Sequence, residues 1–340
     1  DYLTMRFTGV AAATLASMTG AWLTDNRDLN TLAYDPLLVR LAGINADRLP
    51  PLVRTGSVIG PVRGDVAAMI GISPDAKVVT GIQDIQNATL AAGSIGFGEG
   101  HISLGTSSWV SCPVPKKKTD IVHQMASVPG LGDGHYVLAN NQDNAGRCLE
   151  WFKAGFAPEA SYADLEAWAE AAVPGSGGVI FTPWLSGERS PIDDRNARGG
   201  FHNVSLATSR EDLTRAVLEG VAMNLRWLLA GVEKFVGSRL DPMRLIGGGS
   251  QMDVWCQILA DVCDRTFERV AEPLVGGLRG AGIFAGLALG EVEEADVRSL
   301  VPVDRTFVPD PATREVYDRL FAQFPRLYSR NKGMFAALNR

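Results

Sequence analysis

Met243-Arg244-Leu245-Ile246-Gly247-Gly248-Gly249-Ser250, with an apolar-periodic run over 252–263 behind it, reads as a strand, a glycine turn and a helix in succession. Glycines let a ligand approach the backbone, and a helix start offers unpaired N–H donors with a favourable dipole, so such a unit can hold a nucleotide or another anion. The plainer alternative is a tight strand-to-helix connection. The same alternation extends outward. Strand character appears at 77–80, 101–104, 108–112, 136–139, 179–183 and 266–270, helical character at 85–92, 210–236, 277–289 and 311–336. The 210–236 helix has the clearest signal: Ser209 caps it with Asp212 three residues on, and Leu213, Val217, Val221, Leu225, Leu228, Val232 and Phe235 mark one apolar face. Strands alternating with helices make the class α/β.

A chain of 340 residues accommodates about two domains. Gly93-Ser94-Ile95-Gly96-Phe97-Gly98-Glu99-Gly100 is dense enough in glycine for a hinge, which divides the chain into 1–95 and 96–340. Lys+Arg 32 against Asp+Glu 38 gives a net charge of −6, so no global positive field draws the protein to nucleic acid or anionic lipid. No apolar run has the length of a membrane span, the N-terminus shows no secretory pattern, and four cysteines are too few for a disulfide scaffold. A cytoplasmic protein with buried thiols is the expectation. His101, His123, His135 and His202 fall on different elements and read as structural, and Lys116-Lys117-Lys118 as a solvated loop.

Three further places carry chemistry. Gly105-Thr106-Ser107 lies where one strand turns into the next, and its N–H groups and hydroxyls suit a phosphate oxygen, although a plain hairpin reads the same way. Asp84 follows a strand and precedes a helix, which puts it at a strand's carboxyl end, where α/β sheets place ligands; taken by itself it reads as an N-cap. In Trp184-Leu185-Ser186-Gly187-Glu188-Arg189-Ser190-Pro191, Glu188 and Arg189 either pair with each other or face a cleft. P-loop, dinucleotide-fold, serine-hydrolase and zincin motifs are absent.

Taken in order, Asp1-Tyr2-Leu3 with Arg6-Phe7-Thr8-Gly9, Gly81-Ile82-Gln83-Asp84, Leu104-Gly105-Thr106-Ser107, Leu185-Ser186-Gly187-Glu188-Arg189-Ser190-Pro191, Arg215-Ala216-Val217-Leu218-Glu219-Gly220 and Gly247-Gly248-Gly249-Ser250 with Trp255 and Ala260-Asp261-Val262 resemble the FGGY family of carbohydrate kinases, most of all its xylulokinase branch. The resemblance implies a ribonuclease-H-like, actin-type ATPase fold with ATP and sugar in a cleft between two domains. It implies that Gly105, Thr106 and Ser107 belong to a phosphate motif, Gly248, Gly249 and Ser250 to an adenosine motif, and that Asp84 is the catalytic base. ATP with Mg²⁺ and a small sugar or polyol, a ketopentose such as xylulose first, are the implied ligands; the metal ligands stay unassigned, and a homodimer is compatible. The family's Asp-x-Gly-Thr hairpin has no match here. The expectation is therefore a complete ATP-side domain over 96–340 and an incomplete sugar-side domain over 1–95, either in a kinase or in a non-catalytic nucleotide-binding or scaffolding relative.

Overall fold

The structure, a computed structural model, describes residues 1–132 and 134–339. Its centre is a five-stranded mixed sheet in the order Val303–Phe307, Phe267–Val270, Met243–Ile246, Gly100–Leu104, Ser108–Ser111. Met243–Ile246 runs parallel to both of its neighbours, while the two outer pairings are antiparallel. Every residue of Gly100–Leu104 and of Met243–Ile246 is buried, as expected of strands covered on both faces. One face packs on Arg210–Val236 and Asp253–Cys263, with Ile102, Leu104, Met243 and Leu245 meeting Val221, Leu225, Trp255 and Leu259 in a single core. The other face packs on Asp84–Ala92 and Gly276–Leu289 through Ile246, Val270, Leu90, Ala91, Ile283 and Phe284. Beside this three-layer body lie a four-stranded antiparallel sheet drawn from residues 113–139 and a first segment of short helices around the Val58–Pro61/Lys77–Val79 pair.

Local rules account for the long helix. Arg210–Val236 begins at Ser209, whose Oγ accepts from Asp212 N–H while the Asp212 carboxylate reaches back to Ser209, and it stops at Gly237 in the left-handed region (φ 84°). Gly220 lies against the carbonyl of Phe181, where a Cβ would come within 2.2 Å, so helix and strand can touch there only through glycine. The Arg215–Glu219 pair on this helix is buried, and Tyr317 joins it by accepting from Arg215 and donating to Glu219 at 2.8 Å, which anchors the C-terminal helices to the core.

Two sequence expectations change. The single helix over 311–336 is three pieces, a turn at Pro311–Thr313 and helices Arg314–Phe321 and Phe324–Leu338, because Pro325 has no N–H for the ladder and its ring excludes the preceding turn. The lysine triplet is tethered as well as solvated: Lys117 Nζ donates to Ser127 O, and Lys118 Nζ donates to Phe235 O and sits over the Phe235 ring. All four cysteines are free and buried, as their isolation in the chain implies.

The helices Asp84–Ala92 and Gly276–Leu289 cross at Asn87. Its Nδ2 donates to Gly277 O at 3.0 Å, and a Cβ on Gly280 would fall 2.3 Å from the Asn87 carbonyl. Below this layer His101 is fully buried on the strand Gly100–Leu104, with neither ring nitrogen partnered among the described residues. Burial lowers its pKa from 6.5 to about 4. As pH falls, the unfolded chain takes up this proton first, so the stability His101 confers is complete above 6.5 and declines toward about 4. The loss is at most about 3 kcal/mol. Replacing His101→Leu is expected to flatten the pH dependence of unfolding free energy, measured by urea titration, across that window.

Candidate functional site

Parallel pairing of Ile246 with Ser103 brings the carboxyl ends of two central strands side by side, so the turns that leave them adjoin. Leu104 is the shared surface. A Cβ on Gly247 would lie 2.7 Å from the Leu104 carbonyl oxygen, and one on Gly249 would lie 2.7 Å from Leu104 Cγ. Gly247 also adopts φ +95°, a conformation side chains disfavour. Gly248 differs: it is exposed, and an added Cβ would meet only Leu274 Cδ2 at an ordinary 3.5 Å. Ser250 is buried and its hydroxyl donates to Gly247 O at 2.7 Å, so it closes the turn from within. Behind the turn a hollow of about 510 Å³ is lined by Glu166, Gln251, Asp253, Arg269, Pro273 and Asp304. Its guanidinium is already neutralised: Arg269 is held by Asp253 and Asp304.

The neighbouring turn has free donors. Gly105 N–H returns to Ser107 O at 2.9 Å, whereas the N–H groups and hydroxyls of Thr106 and Ser107 have no partner among the described residues. Its carbonyls are occupied: Gly105 O accepts from Gly146, and Thr106 O from Ala145 and Arg147. These bonds seat the start of the Gly146–Phe156 helix on the turn, and Gly146 must be glycine because a Cβ would lie 2.7 Å from Gly105 O.

A buried polar chain supports this corner from below. Ser108 Oγ donates to Gln142 Oε1, Gln142 Nε2 to Asn224 O, and Asn224 Nδ2 to Glu188 Oε2 at 2.6 Å. Glu188 Oε1 accepts from the backbone N–H groups of Asp143 and Arg189. Burial pushes the Glu188 carboxyl up to about 8, against the pull of these donors. Glu188 and Arg189 therefore meet through the backbone, and the Arg189 guanidinium pairs with Asp143 at 3.0 Å. The polar run 140–147, which carries these contacts, has no periodicity of its own; its only sequence signal is its polarity between a strand and a helix.

Asp84 is the first residue of the helix Asp84–Ala92. The N-cap position belongs to Gln83, whose N–H donates to Gln86 Oε1 at 2.9 Å, so the capping role open to Asp84 in the sequence falls to its neighbours. Its carboxylate is exposed and unpartnered among the described residues. Its helix bears on the glycine turn indirectly, through Asn87 to Gly277 on the helix that follows Pro273, whose carbonyl accepts from Gly247 N–H. Among the described residues no three His, Cys, Asp or Glu side chains gather closely enough to hold a metal ion. Mg²⁺ in phosphate-handling sites takes one or two carboxylates together with substrate phosphates rather than an all-protein cage, so a three-ligand cluster is not what it requires. No helix among them is long and apolar enough to cross a membrane.

Family models for the N-terminal and C-terminal domains of the FGGY family of carbohydrate kinases match residues 1–91 and 100–289. A gluconokinase of Bacillus licheniformis is 29% identical over 311 residues, which are 88% of this chain and 60% of that protein. A xylulose kinase of Bacillus subtilis is 29% identical over 345 residues, 99% of this chain and 67% of the relative. The solved xylulose kinase from Rhodospirillum rubrum superposes with a TM-score of 0.84 at 30% identity, covering 99% of this chain and 67% of its own. The chain thus spans about three-fifths to two-thirds of the length of these relatives. The fold is the ribonuclease-H-like, actin-type ATPase fold that the motifs imply.

The geometry separates the three glycines. Gly247→Ala and Gly249→Ala are each expected to lower the unfolding free energy by about 1–3 kcal/mol through clash and strain. Gly248→Ala should stay within about 0.5 kcal/mol of the parent. Chemical denaturation of the three variants checks the order.

Proposed function

The chain belongs to the FGGY family of carbohydrate kinases, and from that premise we propose that it phosphorylates a small sugar with ATP. The adjoining turns carry this reading: free N–H groups at Thr106 and Ser107 suit phosphate oxygens, and exposed Gly248, next to them, lets a nucleoside lie against the backbone. The division of labour follows the same line, with residues 96–340 on the nucleotide side and 1–95 on the sugar side.

Asp84 is the proposed general base. A sugar hydroxyl is a weak nucleophile, and an exposed carboxylate without a capping bond is available to take its proton as the hydroxyl oxygen attacks the terminal phosphorus. The turn donors would oppose charge accumulating on the transferring phosphoryl group, which is where positioning and electrostatics supply most of the rate in this chemistry. A ketopentose such as xylulose is the first substrate to test because relatives named xylulose kinase cover nearly the whole chain. Gluconate comes second, since relatives named gluconokinase match equally well.

Binding is testable on the 340 residues alone. Gly248→Val is expected to weaken ADP binding about tenfold in calorimetry, equivalent to about 1.4 kcal/mol, with little change in melting temperature. An unchanged ADP affinity would remove the glycine turn from the site. Turnover is to be measured on the protein expressed from its whole reading frame, as sugar-dependent ADP release over ketopentoses, gluconate and polyols. Asp84→Asn should reduce kcat by at least about a hundredfold while ADP affinity holds, because the amide keeps the shape but cannot accept the proton. Full turnover by that variant would show that another group is the base, and nucleotide binding without turnover on any sugar would favour a non-catalytic role.

A further inference from the structure

A second hollow has none of the residues of the two turns in its lining. Thr89 and Leu90 of Asp84–Ala92, Phe284, Leu287 and Ala288 of Gly276–Leu289, and His135 of the neighbouring hairpin wall a cavity of about 280 Å³. An apolar cavity of about 150 Å³ accepts benzene, so this one has room for a fused bicyclic ring. Its walls are mostly hydrocarbon, and two of the polar groups on them are already engaged: Thr89 Oγ donates to Ile85 O, and Gln86 bonds Gln83 N–H and Pro129 O at its two ends.

What remains open on the lining has one character. His135 Nδ1 faces Leu131 O at 3.1 Å, so in the neutral ring that nitrogen carries the proton and Nε2 is an acceptor without a partner among the described residues. The Glu294 carboxylate, at the exposed rim, likewise has no cation or donor among them, and the Thr55 hydroxyl can serve either way. Among the described residues no Lys or Arg lines the cavity. An occupant must therefore bring apolar rings for the interior and positive charge with N–H donors for the rim. We propose that this cavity is a binding site for a small aromatic amine, its rings between the two crossing helices and its ammonium group at Glu294.

Tryptamine supplies both features, and indole-3-propionate offers the same rings with the opposite charge. Calorimetry is expected to show one saturable tryptamine site per chain, at least about tenfold tighter than indole-3-propionate. Glu294→Gln, at an exposed position, should bring the two ligands to within about twofold of each other. Ala288→Phe should abolish both by filling the space, with a melting temperature at or above that of the parent. Absence of saturable tryptamine binding overturns the proposal. So does equal or tighter binding of indole-3-propionate by the parent chain, or tryptamine binding at parental affinity by folded Ala288→Phe. The readout needs neither nucleotide nor sugar, so its outcome is independent of the kinase assay.

Discussion

No side chain fits between Leu104 and the turn that follows Ile246. Gly247 and Gly249 meet the Leu104 carbonyl and side chain at separations a Cβ could not share, and on the other side Gly146 meets the Gly105 carbonyl in the same way. Interiors are packed as tightly as organic crystals, so one added methyl group at such a point must displace a neighbour. Three close approaches of glycine backbone around a single strand end, two to a carbonyl and one to the Leu104 side chain, thus decide how closely two central strands, a turn with free donors and a helix start come together. The candidate site exists because these segments converge, and Gly248 alone of the triplet is left with its face to the open side.

Close backbone contact needs support that does not give. The chain Ser108, Gln142, Asn224 and Glu188 provides it by tying the base of one turn to the long helix and to the 184–191 segment. A buried carboxylate is costly unless it is well hydrogen-bonded, and Glu188 receives donors on both oxygens. Such a network tolerates little displacement, since a shifted member leaves a buried polar group unpaired. The Arg215, Glu219 and Tyr317 cluster plays the same part farther along the same helix, where it holds the C-terminal segment in place. One helix, Arg210–Val236, therefore links the glycine-tight corner to the end of the chain.

Much of this could be read from the residues in order. The helix Arg210–Val236 matches its reading to the residue, because a cap, an apolar stripe and a terminal glycine all act within a few positions. The strands at Tyr136–Ala139 and Phe267–Val270 and the helix Asp253–Cys263 also lie within a residue of their readings, for the same reason. The readings failed where a local signal was overruled from close by. The capping role that Asp84 offers when taken by itself falls to Gln83 and Gln86, and the helix read as continuous over 311–336 is interrupted at Pro325.

The sequence by itself determined the element types, the α/β class and, through six motifs in family order, the kinase family. Only the tertiary structure decided how the motif residues are placed: that Gly247 and Gly249 are held by packing while Gly248 faces outward, that Ser250 turns inward, that Glu188 bonds a backbone rather than the Arg189 guanidinium, and that the Asp84 carboxylate is exposed and unpartnered among the described residues. The physical reason is one of range. Propensity, capping and turn chemistry are settled between residues a few positions apart, whereas the site arises from parallel pairing of strands far apart in the chain, whose contacts leave no trace in the neighbouring sequence.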